Sequence, residues 1–163
     1  MSAKILSFRD LRVYQEACKL DLQVFAETKR WPKEEKFALI DQVRRSSRSI
    51  GANLAEAWAK RRYEAHFVSK LTDSDGELQE TEHWLFRAME YGYIAQREFD
   101  RLNEHCLSIG RMLGKMMNDP GLFLVAERQE PTNRAREDAA RRSEVRRQKP
   151  DTSSDRRLQA SGI

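Results

Sequence analysis

The sequence predicts an all-α protein, an antiparallel up-and-down four-helix bundle, on three observations. Four stretches repeat apolar residues at steps of three and four, the period of an amphipathic helix. The connections between them are short, with Pro32, Gly92 and the pair Pro120-Gly121 as punctuation, which favours antiparallel neighbours. No segment alternates apolar and polar residues as a half-buried strand does. The bundle is assigned to residues 1–124, and residues 125–163 are expected to form a disordered or transiently helical charged tail.

Ser7 followed by Asp10 reads as a capping box with Asp in place of Glu, opening a first helix from Phe8 to about Lys29. Leu11, Tyr14, Cys18, Leu22 and Phe25 form one apolar line, and Val13, Ala17, Leu20 and Val24 form a second beside it. Two lines make a face wider than one neighbour needs, so this helix is expected to pack on two sides, in a bundle or against another subunit. Trp31-Pro32 interrupts the pattern. Pro32 is well placed beside a helix start, and Glu34 and Glu35 suit its positive end.

The second helix is predicted from about Lys33 to Arg62, with Phe37, Ile40, Val43, Ser47, Ile50, Leu54 and Ala57 as its buried stripe. Gly51 within it costs about 1 kcal/mol relative to Ala, and close helix approach is its expected reason. The third helix spans Tyr63 to Tyr91 on Phe67, Leu71, Leu78, Leu85 and Ala88 or Met89. Ser74 and Asp75 fall where an apolar turn is due, which makes this the weakest stretch of the helix. Gly92 stops it. The fourth runs from Gln96 to Asn118 on Phe99, Leu102, Cys106, Ile109, Leu113 and Met116.

At 163 residues the chain is long enough for one domain with its own core. It is 39% hydrophobic and 34% charged, a balance that suits exposed helices and a solvated tail. The formal net charge of +4 admits an acidic partner such as nucleic acid. No apolar run is long enough for a membrane span, and the first residues lack the apolar core of a signal peptide. Cys18 and Cys106 each fall on an apolar stripe, so they are expected to be buried, inert thiols in a cytoplasmic protein. The arginine pairs of the tail (Arg141-Arg142, Arg146-Arg147, Arg156-Arg157) are spaced by acidic and polar residues, which reads as a solvated tail before a nucleic-acid-binding one.

Five motifs in order, FRDLRVYQEA (8–17), DQVRRSSRSIGANLAEAW (41–58), KRRYEAHFVSKL (60–71), ELQETEHWL (77–85) and GYI (92–94), give the chain a family resemblance. It resembles the four-helix-bundle family named after proteins encoded in intervening sequences of bacterial 23S ribosomal RNA genes. It is also similar to the accessory variability protein of diversity-generating retroelements. The resemblance covers residues 8 to about 118. It implies a homo-oligomer, specifically a homopentameric ring, with Trp58 or Trp84 as exposed aromatics at a subunit contact. It also implies a basic scaffold for nucleic acid and a protein partner such as a reverse transcriptase. Members of the family carry Pro where this chain has Gly51 and Gly where it has Ala57.

Glu80-x-x-His83 has the spacing that di-iron bundle proteins use, but no second copy exists, since Tyr63 precedes His66 and Leu102 precedes His105 at that interval. No metal, cofactor or catalytic residue is therefore predicted. Ser46, Ser47 and Ser49 have no His beside them in sequence, and no glycine-rich phosphate loop occurs. Asn53, Glu56, Glu80 and Glu82 are expected to form a structural polar network with Arg45, Arg48 and Arg61 that sets helix register. Arg44, Arg45, Arg48, Lys60, Arg61 and Arg62 are the candidate nucleic-acid-binding cluster, for RNA or DNA and tolerant of sequence. Tyr63 and Trp58 beside it are candidates for stacking on unpaired bases, though packing is the commoner use. The alternative is a protein interaction module whose basic residues are consumed in structural salt bridges.

Overall fold

A computed structural model describes residues 5–125. It contains α1 (Arg12–Thr28), α2 (Asp41–Lys60), α3 (Glu64–Glu90) and α4 (Gln96–Asn118), with no strand among the described residues. Each helix packs on the next in chain order and α4 closes onto α1, so the fold is the antiparallel up-and-down bundle that the sequence predicts. The α2–α3 contact is the most extensive. The expected charged tail lies, beyond Val125, outside the described residues.

The capping box is present: Asp10 Oδ2 accepts from the Ser7 N–H at 2.8 Å, and Ser7 Oγ accepts from the Arg9 N–H at 3.2 Å. It caps a single 3-10 turn, Phe8–Asp10, and α1 starts only after Leu11. Of the two predicted apolar lines on α1, Val13, Ala17, Leu20 and Val24 enter the core. In the other line Leu11 is buried, Tyr14 and Cys18 are half-buried, and Leu22 and Phe25 are 66% and 36% exposed. Its two neighbours, α2 and α4, cover one side of α1 only. Cys18 is thus not the buried thiol expected, whereas Cys106 is.

The start of the second helix also differs from expectation. Lys33–Glu35 is a 3-10 turn and Lys36–Ile40 a π turn, so regular α-helix begins at Asp41. A π turn rotates less per residue than an α turn, so Phe37 is not carried onto the side of Ile40. Phe37 is 82% exposed, and Leu39 joins Ile40 in the core instead. The rest of the stripe is buried as predicted, through Val43, Ser47, Ile50, Leu54 and Ala57. Gly51 lies under the Tyr14 ring, where an added Cβ would meet Cε2 at 3.5 Å, an ordinary contact.

α3 passes without interruption through its weak stretch because Ser74 is itself core. Its Oγ is fully buried and donates to the Ile50 carbonyl at 2.9 Å, across to α2. Further along, Thr81 Oγ1 donates to Ser46 Oγ at 2.9 Å, and Ser46 Oγ donates to the Val43 carbonyl at 3.2 Å. Small hydroxyls let the two helices approach and satisfy each other without a charge. Gly92 ends α3 at φ +77, with its N–H on the Met89 carbonyl and the Tyr93 N–H on the Ala88 carbonyl, both at 2.9 Å. That is a Schellman stop, which the left-handed conformation of glycine permits.

Candidate nucleic-acid interface

The basic residues of α2 leave the helix in different directions. Arg44 and Arg48, one turn apart, reach toward α1. Arg44 Nε donates to Thr28 Oγ1 at 2.7 Å and its guanidinium lies 4.7 Å over the Phe25 ring. Arg48 Nε stands 3.8 Å from Asp21 Oδ1, the oxygen that also accepts from Ser47 Oγ at 3.0 Å. Arg45 sits on the α3 side, where it donates to Gln42 Oε1 at 3.3 Å. There burial first, and then the charge of Glu80, push the Glu77 carboxyl up, while Arg45 acts against both.

Lys60, Arg61 and Arg62 form a second group, about 18 Å along the axis from Arg48 at 1.5 Å per residue. Arg61 Nη1 donates to the Trp58 carbonyl at 2.6 Å and its guanidinium covers the Trp58 ring at 3.9 Å. Arg62 is exposed. Lys60 pairs with Glu56 at 2.7 Å. Among the described residues Arg44, Arg45, Arg61 and Arg62 have no carboxylate within ion-pair distance, and Arg48 has only the long contact to Asp21.

The expected polar network divides. Asn53 and Glu56 do come together, but around Lys70 of α3: Lys70 Nζ is 2.9 Å from Glu56 Oε2, 3.0 Å from Asp73 Oδ2 and 3.5 Å from Asn53 Oδ1. Hydrogen bonds from Lys60 and then Lys70 hold the Glu56 carboxyl below its usual range, and Glu56 and Asp73 hold the Lys70 ammonium up. Glu80 lies elsewhere and accepts from Trp84 Nε1 at 3.0 Å. Glu82 is half-buried beside α4; burial, helped by its charge, pushes the Cys106 thiol up to about 12. The reason is register. In the antiparallel pair Glu56 is level with Lys70, so Glu80 is ten residues, about 15 Å, further on. Lys70 and Asp73 were invisible to sequence reasoning because only the α2–α3 pairing brings them to Glu56.

Trp58 and Trp84 are half-buried and packed on the core, not exposed. Tyr63 is exposed at the start of α3, its ring 5.6 Å from that of His66. His83 is exposed and set edge-on to Trp84, and no group of three His, Cys, Asp or Glu among the described residues converges to hold a metal. No described helix is long and apolar enough to cross a membrane.

The family model described as 23S rRNA-intervening sequence protein matches residues 9–115. Among solved structures, the chain is similar to a protein of unknown function from the S23 ribosomal protein family of Bacteroides thetaiotaomicron. The two share 28% identity at a TM-score of 0.60, over 65% of this chain and 95% of that one. No curated protein matches.

Proposed function

The chain belongs to the 23S rRNA-intervening sequence protein family, and we propose that it is a non-enzymatic oligomeric scaffold that binds RNA or DNA through the basic residues of α2 and of the turn that follows it. The observation that carries this reading is the absence of close carboxylates around Arg44, Arg45, Arg61 and Arg62 among the described residues. Phosphate oxygens suit such guanidinium groups, and contacts of this kind are tolerant of sequence. Arg45, Arg48, Lys60 and Arg62 are the exposed members, with Lys60 held by Glu56, while Arg44 and Arg61 are anchored over aromatic rings.

The uncovered line on α1, with Leu22 and Phe25 exposed, favours a subunit contact. Resemblance to the family suggests a homopentameric ring, in which weak phosphate contacts repeated around the axis add by avidity. A reverse transcriptase is the protein partner this likeness suggests, and the cytoplasm the compartment. The second reading, a protein interaction module without nucleic acid, is favoured by the Glu56–Lys60–Lys70–Asp73 cluster, which occupies Lys60.

The test is binding of the full chain to labelled RNA and DNA across a salt series, with mass by light scattering on the same sample. The scaffold reading expects an oligomer whose affinity falls steeply with salt. Arg45→Glu, Arg48→Glu and Arg62→Glu together should abolish binding and leave the mass unchanged. An oligomer that binds neither nucleic acid at low salt would sink the reading in favour of the protein module.

A further inference from the structure

At the end of the bundle where α3 turns into α4, a cleft of about 400 Å³ opens against the segment that leads into α2. Three aromatic residues line it: Trp84, Tyr91 and Tyr93, together with Glu35 and Gln42. The left-handed Gly92 sets the two tyrosines side by side, ring centroids 5.7 Å apart.

Most polar atoms of this lining already have partners. Trp84 Nε1 donates to Glu80 at 3.0 Å, Tyr93 Oη donates to Glu35 Oε1 at 2.8 Å, and the Tyr91 oxygen accepts from Arg87 Nη2 at 2.9 Å. Glu35 Oε2 accepts from the Leu39 N–H at 3.4 Å, and Gln42 Oε1 accepts from Arg45. What remains for a ligand is ring surface, the donors of the Gln42 amide and the Tyr91 hydroxyl, and one negative charge. Aromatic faces attract cations, and one ring of this cluster already does so: the Arg87 guanidinium, paired with Glu90, lies 4.8 Å over Tyr91.

We infer that this cleft binds an organic cation of the methylated ammonium class, its methyl shell against Trp84, Tyr91 and Tyr93 and its charge beside the Glu35 carboxylate. An unmethylated ammonium is strongly hydrated and needs several free acceptors in place of its water. A nucleobase needs a free hydrogen-bonding edge opposite its own. Against these needs the lining offers one carboxylate that already holds two donors, and the donors of Gln42 and Tyr91, whereas a quaternary ammonium has no N–H to satisfy. The inference stands apart from the nucleic-acid reading.

The experiment titrates the full chain with choline and with 3,3-dimethylbutan-1-ol, its uncharged carbon isostere, following the Trp84 indole N–H by NMR. Choline should give a saturable shift and the isostere should bind at least about tenfold more weakly. Glu35→Gln, which keeps an acceptor for Tyr93 but removes the charge and the second carboxylate oxygen, should weaken choline several-fold while NMR shifts away from the cleft show the chain still folded. A trimethyl-lysine peptide that outcompetes choline would place the cation on a protein partner, and one that does not would place it on a small molecule; both support the site. Equal binding of choline and its isostere, no saturable shift, or tighter binding of adenosine monophosphate at the same indole would overturn it.

Discussion

Between α2 and α3 the inter-helix hydrogen bonds that seal the core run through buried hydroxyls: Ser74 to the Ile50 carbonyl, and Thr81 to Ser46. Around α1 they run through ionisable groups that keep contact with water. His105 of α4 has Gln23 Oε1 at 3.1 Å from one ring nitrogen and Glu16 Oε2 at 2.9 Å from the other. Asp21 takes Ser47 and the long contact to Arg48 on the α2 side. The dry seam fixes register through short bonds with no solvent alternative. The wet seams hold α1 by contacts that solvent screens, on the one helix that also leaves an apolar line uncovered.

The largest effects are expected in the core. Leu54→Ala, at a fully buried position of α2, should cost about 2–5 kcal/mol in a urea titration. Leu22→Ala on the outer line of α1 should stay within about 0.5 kcal/mol for an isolated subunit. A Leu22 effect as large as that of Leu54 would mean that the outer line is buried in an assembly. Next in size, Thr81→Val removes a buried hydroxyl bond at constant shape and should cost about 1 kcal/mol. Because no charge is involved, the same cost is expected near pH 4 and near pH 7. Combined with Ser46→Ala, its effect should be less than additive.

The smallest effect belongs to the wet seam. A hydrogen bond from Lys19 first, and then one from His105, hold the Glu16 carboxyl below its usual range. A depressed folded pKa contributes stability that is complete above the ordinary carboxylate range and lost as pH falls through the lowered value. Glu16→Gln should therefore cost less than about 1 kcal/mol at neutral pH, and the two proteins should converge on acidification below pH ~4. A gap that persists at low pH would show that Glu16 acts through packing instead.

Much of the fold was legible along the chain. The spacing of Leu102, Cys106, Ile109, Leu113 and Met116 gave α4 its full extent, and Gly92 marked the end of α3. Both signals are local, a period and a backbone preference. Phe37 escaped the period because a π turn changes the rotation per residue, and no residue type announces such a turn. Ser74 looked like a gap in a stripe because a hydroxyl scores as polar until its acceptor on α2 is known.

The candidate site was legible in composition and less so in arrangement. That α2 is rich in arginine follows from the sequence, but Arg44 bonds across to Thr28 of α1, Arg45 bonds Gln42 of its own helix, and Lys60 is taken by Glu56. The cleft of Trp84, Tyr91, Tyr93 and Glu35 carries no sequence signal, since Glu35 and Tyr93 are 58 positions apart.

By itself the sequence determined four amphipathic helices, the glycine stop of α3 and a positively charged second helix, because each depends on neighbours within a few residues. Tertiary structure alone decided that Glu56 meets Lys70 and not Glu80, that Phe37 faces solvent, and that one line of α1 stays uncovered. Those outcomes depend on how helices align when packed, a sum of many weak contacts between residues far apart in the chain.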